Sequence, residues 1–318
     1  MSCQPKRSAK ALLRRADTVV PKLLPDEFIL GWLKRFAVAN CCTDTWRFIK
    51  NIRAEQKVVT EGAARIYQTS SLVSDYTGIP NPELERLHTL APWTQLSGSG
   101  QQGKQEINEA DRRAIRVKGH RSGLCLSCIE EDRAFWGWNY WRRSHQIPGV
   151  TRCLKHEVEL HFTPYLCFTT HSPFAARSIG LPVGDRSIFG QQYSELAVSM
   201  LEEVRPGNHA QFLARLNILL EQRSRGSNTL QVREFLASAA QRKIPDTWVH
   251  HAFVGKIDKT QMIKSLHDCY AKRLSPIQLA ITLKLVFDEV DDALMFWRGS
   301  HDSVPGEYDQ KHAGISQA

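Results

Sequence analysis

Two pairs of metal-binding residues limit this chain more than any other feature. Cys125 and Cys128 form the first, and Cys153 and His156 form the second with the same two-residue spacer. A Cys-x2-Cys on a turn can aim both sulfurs at one ion. A second knuckle then completes a tetrahedron whose thiolate and imidazole donors suit zinc. The pattern predicts one structural zinc per chain, held by Cys125, Cys128, Cys153 and His156. Four protein ligands leave no open coordination position, which argues for a structural ion and against hydrolysis. Two enzymatic patterns fail on spacing. In HEVELH (156–161) the histidines are five apart, so they would not share the helix face a metalloprotease needs. A nucleobase deaminase requires a proline before its cysteine pair and an upstream His-x-Glu. Here Leu124 precedes the cysteines, and no His-x-Glu lies upstream.

Between the knuckles lie Phe135, Trp136, Trp138, Tyr140 and Trp141. On a helix they would point in several directions, and a helix apolar on several sides is packed on several sides. A small zinc module has little core of its own. Packing of this cluster against neighbouring elements is therefore expected, ahead of base stacking. Arg142 and Arg143 follow directly and are candidates for contact with phosphate or a protein partner. Upstream, Arg112, Arg113, Arg116, Lys118 and Arg121 form the densest internal basic run and are read as a further contact arm. Cys167 with His161 and His171 lacks a fourth ligand, so it is read as a core or surface thiol. Cys41, Cys42 and Cys269 are read as packing residues in helical segments.

The chain carries a net charge of +9. Over half of the excess sits in residues 1–22, where six basic side chains face Asp17 alone. This segment reads as a disordered basic tail able to touch phosphate or acidic partners. No apolar run approaches membrane-spanning length, and eight scattered cysteines do not form a disulfide framework. A soluble protein of a reducing, cytoplasmic compartment is expected.

Helical periodicity dominates the remainder, so the fold class is mainly α. A helix is predicted over 25–40, with Phe28, Trp32 and Phe36 on one face, and another after Thr43 or Asp44. Two short helices around Thr77-Gly78, within 65–90, form a helix-turn-helix-like hairpin. Residues 97–124 read as linker and basic arm, 125–165 as the zinc module, and 166–206 as a loop-rich connector. Helices over 207–223, 228–242, 260–274, 275–287 and 288–297 make a C-terminal helical domain ending near 298, with a polar tail beyond. Ser275 and Pro276 suit a cap and first helical position.

The CxxC, the aromatic spacer, HQIPGV (145–150) and CLKH (153–156) together resemble the TniQ/TnsD family of transposition target-selection proteins. LLPDEFILGWLKRFAVAN is similar to that family's opening block, and SDYTGIPNPELERLHTLAP to its Thr-Gly helix-turn-helix segment. The three blocks keep the family's order over residues 24–160. Leu126 stands where the family places proline, and Glu157 where it places glycine. Many members carry a second cysteine ribbon, whereas here Cys167 stands alone.

The resemblance implies a bacterial adaptor rather than a catalyst. Such proteins recognise target DNA or a target-bound complex and recruit an AAA+ ATPase regulator, which licenses a separate transposase. Some shorter members dock as dimers on an RNA-guided CRISPR effector, so a homodimer is among the implied states. At this length, extensive direct reading of DNA is less expected. The competing readings are a stand-alone zinc-containing DNA-binding regulator and a metal-dependent enzyme, in that order.

Overall fold

A computed structural model describes residues 18–55, 67–96, 121–164, 167–203, 209–224, 228–253, 257–269 and 274–302. Most of the basic tail lies outside them, as do Arg112, Arg113, Arg116 and Lys118 of the arm. The described residues are mainly helical, as the periodicity predicts.

The N-terminal part holds α1 (Ile29–Ala39), α2 (Thr45–Glu55), α3 (Tyr67–Thr77), α4 (Asn81–His88) and α5 (Ala91–Gln95). Helix α1 begins later than Pro25 and Asp26 suggest. Asp26 adopts a left-handed φ of 56°, and its carboxylate accepts hydrogen bonds from Ser144 N at 3.2 Å and Ser144 Oγ at 2.6 Å. These residues join the N-terminal helices to the zinc module instead of starting a helix. Phe28 N donates to Trp141 O, and Arg143 N donates to Asp26 O, both at 2.7 Å. From Ile29 the apolar stripe takes over: Ile29, Trp32, Leu33 and Phe36 are fully buried. Asn40 ends the helix as expected, its amide donating to Phe36 O and Val19 O at 2.8 Å. Asp44 caps α2 by accepting from Arg47 N at 3.0 Å. In the hairpin, Gly78 turns the chain with a φ of 72°, and Leu72, Val73 and Leu84 face the core.

The middle of the chain contains β1 (Gly123–Leu124), α6 (Leu126–Trp136), β2 (Arg152–Cys153), β3 (Val158–Glu159), β4 (His161–Phe162), the single turn α7 (Pro173–Ala176) and β5 (Leu181–Pro182). Strands β2 and β3 form an antiparallel hairpin with Cys153 opposite Val158. Strands β1, β4 and β5 make a small antiparallel sheet in that order.

The C-terminal part consists of α8 (Ile188–Glu202), α9 (His209–Arg223), α10 (Thr229–Lys243), α11 (Asp246–Ala252), α12 (Lys259–Cys269), α13 (Pro276–Val286) and α14 (Val290–Asp302). Five of these match the predicted helices. Ser275 and Gln278 form a reciprocal capping box at the start of α13. Helices α8 and α11 are the departures: fifteen residues of helix in α8 occupy part of what reads as loop-rich connector, and α11 falls between two predicted helices. Gly190 looks like a breaker but is required by packing. A Cβ there would lie 1.9 Å from Asp185 Oδ2 and 2.9 Å from Thr151 Oγ1. One hydrophobic core runs from α1 through the middle segment into the C-terminal helices.

Candidate metal centre

The first knuckle is built by a helix start. Cys125 is the N-cap of α6, and its sulfur accepts from Cys128 N at 3.5 Å. Both cysteines are thereby turned to the same side. The second knuckle leaves β2 at Cys153 and closes on His156, with Glu157 N donating to Cys153 O at 2.8 Å.

The spacing prediction is met in space. Cys125, Cys128, Cys153 and His156 place their ligand atoms within 4.8 Å of one another. The Cys128 and Cys153 sulfurs are 3.6 Å apart, and His156 Nδ1 lies 3.6, 3.3 and 3.6 Å from the sulfurs of Cys125, Cys128 and Cys153. A tetrahedral zinc with bonds of about 2.3 Å to sulfur and about 2.0 Å to nitrogen has edges of about 3.8 Å between sulfurs and about 3.6 Å from sulfur to nitrogen. The donor set and its edges therefore fit such an ion. No other cluster of this kind occurs among the described residues. Cys167 is a buried core thiol, and burial raises its pKa.

Surrounding groups fix the ligands. His156 turns Nε2 to Glu131 Oε2 at 3.1 Å, leaving Nδ1 for the metal. This is the carboxylate–histidine arrangement that orients metal-binding imidazoles. Lys155 pairs with the same carboxylate at 2.5 Å and holds Glu131 below the usual carboxylate range. The three thiols titrate as one group. Hydrogen bonds from Cys128 and Cys153 pull Cys125 down to about 3, and the same bond with Cys125 pushes Cys128 up. A cluster with so low a first pKa offers a thiolate to a cation at neutral pH.

A family model described as TniQ matches residues 18–160, the segment that contains the N-terminal helices and all four ligands. Residues 18–160 are a TniQ domain. TniQ domains serve target selection in transposition. No curated protein matches the chain.

The residues behind the sequence resemblance have physical jobs in the TniQ domain. Gly31 lies under Trp141, whose Cδ1 would be 2.9 Å from a Cβ. Trp32 is buried and donates its indole N–H to Pro21 O at 2.8 Å. Arg35 forks onto Glu27 at 2.7 and 2.6 Å in the interior. Gln146 clamps β1, accepting from Gly123 N at 3.0 Å and donating to Gly123 O at 2.9 Å. Gly149 has a φ of 84° and sits beneath Tyr193 and Trp248.

The two departures from the family pattern are also explained. Leu126 is the first residue of α6, where proline's fixed φ is well suited. Glu157 occupies a left-handed φ of 54°, a conformation costing a non-glycine residue about 1–2 kcal/mol. Glu157→Gly removes that strain but frees the unfolded chain. A net stabilisation of about 0.5–1 kcal/mol is expected from these two terms. Thermal melting of the metal-loaded variant checks it, and a lower melting temperature would show that the Glu157 side chain contributes more than its backbone strain costs.

The remaining predicted contact residues are placed differently. Arg142 pairs with the buried Asp132 at 2.5 Å. Arg143 is nearly buried, binds Asp26 at 3.3 Å and donates to Arg86 O. The Arg143 guanidinium thus holds the N-terminal helices and the zinc module together, while that of Arg142 braces α6 within the module through Asp132. Arg121 is half-buried, with an Nε that has no hydrogen-bond partner among the described residues.

The aromatic cluster divides. Tyr140 and Trp141 are buried as expected. Phe135, Trp136 and Trp138 are 75%, 40% and 46% exposed, which corrects the expectation that the whole cluster packs inward. Helix α6 ends at Gly137, with a φ of 72°, so one helical projection cannot describe residues on both sides of it. Cys41 also departs, being exposed just past α1 with a φ of 57°. Cys42 packs partly against the core, and nothing is described of the Cys269 side chain.

Proposed function

We propose that this chain is a transposition adaptor. It recognises target DNA or a target-bound complex, such as an RNA-guided CRISPR effector, and recruits an AAA+ ATPase regulator for a separate transposase. The TniQ match over residues 18–160 carries this reading. The metal cluster supports a scaffold role: four protein donors already fill a tetrahedron, so a bound zinc would hold the knuckles together without activating water. Cys125, Cys128, Cys153 and His156 would be its ligands.

The hairpin of α3 and α4 discriminates against the competing reading of a stand-alone DNA-binding regulator. Asp75 and Glu83 are exposed and Glu85 is half-buried, with Arg86 the exposed cation. A helix entering a groove lined by phosphates would be repelled by such a surface. The hairpin is better suited to a basic protein surface.

Tagged full-length chain, co-expressed with the products of its neighbouring genes, is expected to retain an AAA+ ATPase and a target-bound complex. Recovery of one duplex DNA sequence with no protein would replace the adaptor by a direct reader. No described helix is long and apolar enough to cross a membrane.

A further inference from the structure

The exposed aromatic residues at the end of α6 do not stand alone. Phe135 and Trp136 meet edge to face, with centroids 4.6 Å apart. Trp138 follows just beyond Gly137. Phe174, on α7, is tied to this loop because its N–H donates to Asn139 Oδ1 at 3.1 Å. Two exposed arginines lie over the Phe174 ring, Arg133 with its guanidinium carbon 4.7 Å and Arg177 3.9 Å from the centroid. Neither has a carboxylate partner among the described residues. Six side chains from α6, its following loop and α7 therefore make one surface of ring faces and unneutralised planar cations.

We propose that this surface binds unpaired nucleotides, stacking bases on Phe135, Trp136 and Trp138 while Arg133 and Arg177 meet phosphates. Exposed rings of this size are costly in water unless a partner covers them. The two free guanidiniums call for a negatively charged partner. Cation–π contact holds them over Phe174 and leaves N–H groups available to a phosphate. Exposed Ala134 and Ala175 separate the aromatics, so flat π faces are offered, with no long aliphatic side chains between them to build an anchor pocket. Bases within a duplex hide their faces in the stack, whereas unpaired bases present them, and aromatic platforms with arginines bind single strands with little sequence preference. Binding by this surface does not depend on the adaptor reading. Its biological use rests on that reading, as a means of sensing a target opened to expose single-stranded nucleic acid.

The test uses full-length, metal-loaded protein and fluorescence anisotropy with labelled oligothymidylate, the corresponding duplex, and an abasic strand of equal length. Wild type is expected to prefer oligothymidylate over both. Phe135→Ala/Trp136→Ala/Trp138→Ala is expected to weaken oligothymidylate binding at least about tenfold, with metal content and melting temperature unchanged because all three rings are exposed. Arg133→Gln/Arg177→Gln is expected to lower the salt slope by about 1.4, at about 0.7 per phosphate on a single strand. Equal binding of abasic strand and oligothymidylate would reduce the surface to a charge effect and overturn base stacking. Wild-type affinity in the aromatic variant would overturn it as well. Loss of a co-purified protein with no change in oligothymidylate binding would assign the surface to a protein instead. Co-purification is scored separately, so failure of the adaptor reading and failure of this proposal are distinguishable.

Discussion

Cys125→Ser is expected to empty the metal site and unfold the segment between the two knuckles. Cys125 serves as both a ligand and the N-cap of α6. Serine keeps a capping oxygen but not a soft thiolate donor, so the metal term dominates. Structural zinc contributes about 10–16 kcal/mol of binding free energy in small modules, and there it is folding free energy. Whole domains are stable by only about 5–15 kcal/mol. The segment 126–152 also supplies Trp141, Ile147 and Val150 to the shared core, so its loss spreads to α1 and α8. Metal content by atomic emission should fall from one ion per chain to nearly none. The melting temperature should drop by more than about 10 °C, since 1 kcal/mol corresponds to about 2–4 °C in proteins of comparable size. A strong chelator acting on the wild type should reproduce the change, and zinc should reverse it there but not in the variant. Near-wild-type melting of metal-free Cys125→Ser would mean that the aromatic packing holds the module unaided and that the ion is dispensable.

The Cys/His cluster was legible in the sequence because each pair is local: a two-residue spacer on a helix start or a tight turn brings both candidate donors to one side. Helices with explicit ends were legible for the same reason, as the Asp44, Asn228 and Ser275 caps attest. Features set by distant residues were not. Helix α8 lies in a stretch that reads as loop, and its Gly190 is explained only when Asp185 and Thr151 are seen filling the space beside it. Arg142 and Arg143 read as surface cations because their partners Asp132 and Asp26 lie 10 and 117 residues away. Within the aromatic run, a left-handed Gly137 decides which rings turn inward. That glycine was visible, but its effect depends on where Trp141 finds Phe168, itself packed against Phe28.

Trp248→Ala is expected to destabilise the protein by about 3–5 kcal/mol, the cost of emptying a large aromatic site in a close-packed core. Trp248 is fully buried on α11. Its ring meets Phe189 at 4.9 Å and Tyr193 at 4.8 Å, both edge to face. Its indole N–H donates to Gly149 O at 3.0 Å, and Tyr193 Oη donates to Pro148 O at 2.9 Å, so α11 and α8 both grip the loop between the knuckles. Gly149 answers this geometry: a Cβ there would stand 2.9 Å from Trp248 Cζ2 and 2.7 Å from Tyr193 Cε1. The Pro-Gly-Val of the TniQ domain therefore receives α8 and α11, elements beyond the matched residues 18–160. Metal content should stay at one ion per chain in Trp248→Ala while the melting temperature falls by about 6–20 °C, a combination opposite to selective loss of the ion. Trp248→Phe keeps most of the ring packing and forfeits the hydrogen bond, so a smaller loss of about 1–3 kcal/mol is expected, reflecting the unpaired Gly149 carbonyl. In a double-mutant cycle, Gly149→Ala and Trp248→Ala should be partly non-additive, because the second substitution removes one of the two rings that the alanine at 149 meets, while the clash with Tyr193 and the left-handed φ remain. Additive effects would mean that the zinc module and the C-terminal helices do not share a packed interface at this residue, and the grip would have to be sought elsewhere along α8.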